Sequence, residues 1–510
     1  MEHIGWLSLI PPVLAIIIAI MTKNVIISLF FGTFSGVLIL SSWAPLTATK
    51  TIIGEYLFVQ LTDSYNAGVL VLLVFIGGFV ALMERSGGAA AFADKVIHFL
   101  NTKVKTQLAA WFGGIIIFFS DLGTPLLNGP IFEKVFDKAK LSREKLAWII
   151  DSTASPVAVL IPFIGWGVYI MGLIQKEFEA LSLAESDWDA FVAAIPYQFY
   201  PILTLLMVPL VAFTKLDFGA MAKAEKRVQE TGALYWPESK PLRKSETMQE
   251  ISATKSKASL IWLPLLTLLV TLFGILISLG FPFERIGGSD FRVALTTAYL
   301  FAAILLIIMM VYFKVKKLGE ALEIYMSGMQ RMMNVAITLV LAWALGTVIK
   351  NAGTANYIVE IMDGNVPAYL IPVILFIAGA AMSFATGSSW GTFAIMMPLA
   401  IPMAFHFDAS IYIAIGAVLS GGLFGDHCSP ISDTTILAST GAGCDHIDHV
   451  KTQLPYALLN GGAAMVAYLV AGLTGNVMSL LLAIVLMVIT VVLLARRQKG
   501  LNIDTKNLSS

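Results

Sequence analysis

Apolar stretches of about twenty residues recur along nearly the whole of this 510-residue chain. Wound as a helix rising about 1.5 Å per residue, a run of that length crosses a hydrocarbon layer of about 30 Å. Inside such a layer water cannot satisfy backbone N–H and C=O groups, so only helices or closed barrels cross it. The long unalternating runs select helices, and the fold class read from them is an all-α polytopic membrane protein. Composition agrees: 57% of residues are hydrophobic and 13% charged, against about 25% charged in ordinary soluble domains. No segment is long enough for a separate soluble domain. A net charge of zero leaves no electrostatic footprint for nucleic acid. The chain lacks a Walker-type phosphate loop, which argues against ATP-driven pumping, and nothing marks an enzyme. Cys428 and Cys444 are too few for a disulfide framework and read as free thiols.

The first apolar run, residues 6–21, lacks a basic flank before it and a small-residue cleavage site after it, so it reads as a retained helix. The chain also overlays on itself. Residues 83–88 fall on 349–354 and residues 120–124 on 384–388 at an offset of about 265 residues; Ser155-Pro156 falls on Ser429-Pro430 about ten residues further on. Lys and Arg gather in residues 215–257 and at Arg496, Arg497 and Lys499, which places both segments in the cytoplasm by the positive-inside rule. Counted outward from there, the two halves have opposite orientations, the arrangement of an inverted repeat.

The expected units are a first repeat (1–214), a cytoplasmic linker (215–258), a second repeat (259–473), and an extra helix with a cytoplasmic tail (474–510). Each repeat reads as three plain helices, a polar-tipped re-entrant hairpin, a broken helix and a closing helix. In the first these are 6–22, 24–41, 68–84, hairpin 107–138, broken helix 146–171 and 192–214. In the second they are 259–280, 291–313, 332–350, hairpin 367–404, broken helix 410–438 and 453–473. With a final helix at 476–495, the sum is about eleven crossings plus two hairpins.

Four polar constellations interrupt the apolar background. Asp426 and Asp433 lie in Gly425-Asp426-His427-Cys428-Ser429-Pro430-Ile431-Ser432-Asp433-Thr434-Thr435. A charge near the bilayer centre costs roughly 2.5–3.5 kcal/mol on insertion scales, so intramembrane acids are usually functional. Pro430 breaks the helical ladder and frees carbonyls, and Ser429 and Thr434 add hydroxyls. The first-half equivalent holds Asp151, Ser155 and Pro156. At the first hairpin tip, Asp121 to Pro130, the glycines and prolines are expected to prevent a continuous helix, with Asp121, Gly123, Thr124 and Asn128 presenting oxygens. The second tip offers Thr386, Gly387, Ser388, Ser389 and Thr392, more hydroxyls than helix packing needs. Hard oxygen ligands suit Na⁺, and Asp121, Asn128, Ser155, Ser388, Asp426 and Asp433 are its expected ligands. The competing structural roles are a solvated loop for Asp121 and a helix cap for Asp433. His427 abuts Asp426 and is placed to tune its protonation, whereas His446 and His449 read as solvated histidines at the cytoplasmic rim. Glu84, Arg85 and Lys350 read as helix-end residues that snorkel to the interface.

The run from Gly425 to Thr435, continued through Gly441-Ala442-Gly443-Cys444-Asp445-His446-Ile447-Asp448-His449, resembles the NhaC-type sodium/proton antiporter family. Residues 151–156, followed by Ile161-Pro162 and Trp166, resemble its first-half signature. The resemblance implies a secondary transporter of the bacterial inner membrane, within the ion transporter superfamily, with inverted repeats and elevator-type movement. Elevator carriers are commonly homodimeric, although no segment here marks an interface.

The function expected is Na⁺/H⁺ antiport, with lipids as surroundings and no cofactor beyond the transported ions. Burial disfavours a charged carboxylate and nearby Na⁺ favours it, so the two ions would compete for sites among Asp121, Asp151, Asp426 and Asp433. The alternative is a Na⁺- or H⁺-coupled carrier of an amino acid or small organic acid, bound by hydroxyls and helix N-termini. No arginine lies in either tip, which disfavours a dicarboxylate.

Overall fold

The computed structural model describes residues 3–22, 24–88, 91, 100–241, 256–281, 288–362 and 366–507. All regular structure among them is helical. Nine of the described helices are long and apolar enough to cross a membrane, or up to eleven if each of two bent pairs is one span. Outward-facing Val270, Ile277, Val293, Ile308 and Leu493 are at least half exposed, the dress of helices solvated by lipid tails.

The first half opens with α1 (Ile10–Thr22) and α2 (Val25–Leu40), the latter capped by Asn24, whose Oδ1 accepts from Ile27 N at 3.1 Å. A sharp bend of 119° then leads into α3 (Pro45–Thr62), a helix where the sequence reading assigned none. Pro45 starts it because a missing N–H costs nothing at a helix's first position. Asp63 caps the long α4 (Ser64–Arg85). The first hairpin has arms α5 (Lys103–Ile116) and α6 (Gly123–Lys138). Its turn is 117–122, upstream of expectation, and the stretch read as non-helical, Gly123 to Pro130, is largely the start of α6. Pro125 falls in the first turn, where its absent donor is tolerated, and Pro130 is carried inside the helix.

The first broken helix is three pieces: α7 (Arg143–Asp151), the single turn α8 (Ser155–Ala158) and α9 (Gly165–Ala180). The half closes with α10 (Asp187–Ala194) and α11 (Phe199–Thr214), and α12 (Gly219–Thr231) follows. This last helix lies in the segment read as a polar linker, and it is firmly docked. Arg227 forks onto Glu144 of α7 at 2.9 and 3.0 Å, and Lys145 reaches Asp217 at 2.6 Å.

The second half begins with α13 (Ser259–Ser278) and α14 (Gly288–Tyr312). An unforeseen amphipathic helix, α15 (Leu318–Arg331), precedes α16 (Met333–Ala352) and α17 (Thr354–Met362). The second hairpin, α18 (Ile371–Thr386) and α19 (Ser389–His406), turns at Gly387-Ser388 as read from sequence. The second broken helix is α20 (Ile411–Cys428) and α21 (Asp433–Ala442), interrupted at Pro430. Then come α22 (His446–Thr474) and α23 (Ser479–Asn507).

Backbone-on-backbone crossings fix the site. A Cβ on Gly77 of α4 would lie 2.6 Å from Gly328 O of α15, and one on Gly425 of α20 would lie 2.3 Å from Ala380 O of α18. Small residues permit such approach in lipid, where van der Waals contact does the work of the hydrophobic effect. The halves also interlock: α6 packs on α21 and α9 packs on α19. Each hairpin thus lies against the broken helix of the other half.

Candidate functional site

The break in α20 is held by partners from other elements. Ser429 Oγ donates to Phe384 O of α18 at 2.8 Å, and His446 Nε2 donates to Pro430 O at 2.7 Å. Gly387, with a left-handed φ of 68°, brings the second tip onto this break; a Cβ there would lie 2.7 Å from Ile431 O. The freed carbonyls expected from the proline are therefore at least partly occupied by neighbouring donors.

Both hairpin tips and the break open onto one cavity of about 320 Å³. Ser120, Asp121 and Leu122 enter from the first tip, Gly387 to Trp390 from the second, and Asp426 with Ser432 to Thr434 from the break. Trp166, at the start of α9, stands 4.9 Å from Trp390 between ring centroids, and Tyr169 fixes Trp390 by donating to its carbonyl at 2.7 Å. On the far wall, Glu84 of α4 accepts from Ser120 Oγ at 2.8 Å and from Arg331 Nη1 of α15 at 3.0 Å. Asp426 is buried, and its Oδ2 accepts from buried Ser389 Oγ at 3.0 Å. The lining carries four carboxyl groups (Glu84, Asp121, Asp426 and Asp433) and one guanidinium, Arg331. Such a surplus of acid attracts cations.

Of the residues read from sequence, the structure brings Asp121, Gly387, Ser388, Ser389, Asp426, Asp433 and Thr434 to the cavity. Asp433 opens α21 as its first residue rather than capping it. Ser388 also caps α19, accepting from Gly391 N at 3.3 Å. Others hold the scaffold of the site. Gly123 N donates to Ser120 Oγ at 2.8 Å, Thr124 Oγ1 to Ser120 O at 2.8 Å, and Asn128 Nδ2 ties the arms by donating to Ala110 O at 2.8 Å. Thr386 and Thr392 bond back to Met382 O and Ser388 O, one turn earlier in each case.

Asp151, Ser155 and Pro156 are buried elsewhere, off the cavity. Asp151 Oδ2 accepts from Gln453 Nε2 at 2.6 Å, Thr435 Oγ1 at 3.1 Å and His449 Nε2 at 3.3 Å. His427 Nε2 lies 3.8 Å from the same oxygen, and its Nδ1 meets the Tyr200 hydroxyl at 2.7 Å. His449, expected at a solvated rim, is fully buried in the first turn of α22 and faces Asp151. His446 likewise serves the break. Sequence reasoning missed Gln453, Tyr200, Trp166 and Arg331 as site residues and gave Glu84 a surface role. The signal for the first was present: His449 and Gln453, four apart, share one helix face.

Comparison with known proteins places the chain in a family. An uncharacterized Haemophilus influenzae protein is 33% identical over 483 residues, 92% of this chain and 91% of that protein. The malate-2H⁺/Na⁺-lactate antiporter of Bacillus subtilis is 31% identical over 193 residues, 38% of this chain and 40% of that one. Among solved structures, Neisseria gonorrhoeae MtrF, of a class of antimetabolite efflux pumps, superposes with a TM-score of 0.56 at 13% identity. That match covers 83% of this chain and 84% of MtrF and speaks for the fold alone. The family model described as the Na⁺/H⁺ antiporter family matches residues 157–473, a span that holds the second tip, the break and α22, and the chain belongs to that family of multi-pass secondary transporters.

Proposed function

We propose that this protein exchanges Na⁺ for protons across the bacterial inner membrane, with the acidic cavity as the site the cation occupies. The observation that carries the reading is the convergence of Asp121, Ser389, Asp426 and Asp433 from both halves on a single cavity. Asp426 is the carboxylate assigned to alternate between Na⁺ and a proton. It is buried and hydrogen-bonded by Ser389, so its negative charge needs a counterion of one kind or the other. A bound Na⁺ supplies that charge and releases the proton; a proton removes the charge and releases Na⁺. In this reading the two halves, 1–214 and 259–473, are inverted repeats joined by the cytoplasmic segment 215–258. The hairpin-bearing helices travel past the remaining ones, and the Ser120–Glu84–Arg331 contact between α4, α15 and the first tip breaks and reforms in each cycle. The C-terminus lies in the cytoplasm.

Transport in proteoliposomes under an imposed Na⁺ gradient, with lumenal pH as readout, tests this directly. Asp426→Asn keeps the shape of the side chain and removes the exchangeable charge, and Na⁺-dependent proton flux should vanish while the protein stays folded. Full flux in that variant would refute the assignment.

One observation favours a second reading, a Na⁺-coupled carrier of a small organic solute. The cavity volume of about 320 Å³ reaches the range of roughly 300–1,000 Å³ typical of small-molecule sites, and two tryptophans and Arg331 line it. The malate and lactate in the Bacillus subtilis relative's name suit the same class. Proton movement that requires an added amino acid or carboxylate would select this reading; movement without any solute selects exchange.

A further inference from the structure

A carboxylate buried among helices, with a protonatable partner and no fixed cation, has to carry its own countercharge. Asp151 meets this description. It is 1% exposed, three donors converge on its Oδ2, and its Oδ1 makes no hydrogen bond among the described residues. Within 4 Å its basic neighbours among those residues are two imidazoles, His449 at 3.3 Å and His427 at 3.8 Å, with no lysine or arginine. His449 Nδ1 and Gln453 Oε1 also lack partners there, as do the nearby hydroxyls of Ser152 and Ser155. Native interiors satisfy nearly all such groups, and a knot of unsatisfied ones points to a working site.

The cluster lies on a different face of α20 from the cavity. Asp426 and His427 are adjacent, and successive helical residues project about 100° apart, so one faces Ser389 and the other Asp151 and Tyr200. The titratable groups set around Asp151 and His449 are His427 from α20 and the Tyr200 phenol from α11, with neutral Thr435 from α21; Asp426 and Cys428 of α20 act on them through space.

We infer that Asp151 and His449 hold, between them, one transported proton that is separate from the ion bound in the cavity. Carboxylate with imidazolium, or carboxylic acid with neutral imidazole, contains the same single proton and the same zero net charge. Release of that proton to water leaves a buried anion. Na⁺ beside Asp426 balances only the charge that Asp426's own proton leaves, so the Na⁺-loaded carrier holds one net negative charge at the pair and the exchange moves net charge. Coupling between the two sites is reciprocal: the proton on the pair changes Na⁺ binding to the same degree that Na⁺ changes the proton's. This rests on the antiport reading and adds a second proton to each exchange.

The test uses the full chain in proteoliposomes. It measures radioactive Na⁺ counterflow, which moves no net protons, and the H⁺:Na⁺ ratio from the potential at which coupled flux reverses. The parent should move more than one proton per Na⁺. Asp151→Asn, which preserves hydrogen-bonding shape, should retain counterflow and move one proton fewer per Na⁺; His449→Gln, which leaves the carboxyl to hold the proton, should retain counterflow and change the pH dependence of the ratio. A parent ratio of one, which needs no variant at all, overturns the inference and leaves antiport standing. So does an unchanged ratio in Asp151→Asn, or a parallel loss of counterflow and proton flux in folded protein, which marks the cluster as structural. No Na⁺-driven proton movement in the parent refutes antiport and this inference together.

Discussion

At Gly129 and Gly441 the arm α6 and the broken-helix segment α21 cross with their backbones touching. A Cβ added to Gly129 would lie 2.3 Å from the Gly441 carbonyl carbon and 2.4 Å from its oxygen, and one added to Gly441 would lie 2.1 Å from Pro125 O. Ordinary contact begins near 3.4 Å, so Gly129→Ala forces the two helices about 1 Å apart. No side chain can rotate aside, because the obstacle is backbone. Overpacking of this kind costs about 1–3 kcal/mol, and a backbone obstacle belongs at the upper end. Alanine returns about 0.5–1 kcal/mol over glycine inside a helix, which leaves a net loss of about 2 kcal/mol. The control is Gly462→Ala in α22, where no atom lies within 4 Å of the new Cβ. There the propensity gain stands alone, and the sign reverses. Thermal unfolding of the purified protein in detergent should therefore move down for Gly129→Ala and up or not at all for Gly462→Ala. Transport should fall in the first variant, since α6 follows directly on the tip that carries Asp121. Equal shifts in the same direction would refute the crossing as described.

Ser389→Ala removes a donor to a buried carboxylate, worth about 1.5–3 kcal/mol for a charged group, so the apparent KM for Na⁺ should rise about tenfold or more. Ser388→Ala, which deletes the α19 cap, should instead cost about 1 kcal/mol of stability and raise KM less; KM measured across both variants separates the roles. Arg227→Ala strands buried Glu144 and should lose about 3–5 kcal/mol, whereas replacing both partners with methionine should be nearly neutral; denaturation midpoints of the single and double variants decide.

The long apolar helices were legible because bilayer thickness imposes a length that composition alone reveals. The second tip was legible for a related reason: hydroxyls and a glycine between apolar arms have few other uses. The first tip was misplaced because Pro125 and Gly123 signal a break only when their position within the helix is ignored; in a first turn they fit. The helix α15 was hidden because Glu320, Glu323 and Arg331 lower its apolarity, and its packing onto α4 is carried by a glycine pair that a single sequence does not announce. In the site, acids set in an apolar sequence drew attention to Asp121, Asp426 and Asp433. Glu84 looked like an interfacial end because its partners, Ser120 and Arg331, are distant in sequence. His449 escaped because it follows two charged residues closely, and only the tertiary path of α22 takes it inward.

The adjacency of Asp426 and His427 gives the site a property that neither residue has alone. Ser389, on the second tip, holds Asp426 at 3.0 Å, and Gln453, on α22, donates both to the His427 carbonyl and to Asp151, each at 2.6 Å. The last turn of α20 is therefore tied on one side to the cavity and on the other to the Asp151 cluster. Pro430 and the Ser429–Phe384 bond end the helix immediately beyond it, so that turn cannot lengthen to absorb a displacement. A shift of the second tip toward a bound cation moves Asp426, and with it the backbone that Gln453 grips. Under the antiport proposal the tie is geometric: the cation balances Asp426 alone, and the displaced turn carries the change to the neighbouring pair. Two sites connected in this way need no longer pathway between them than one peptide bond.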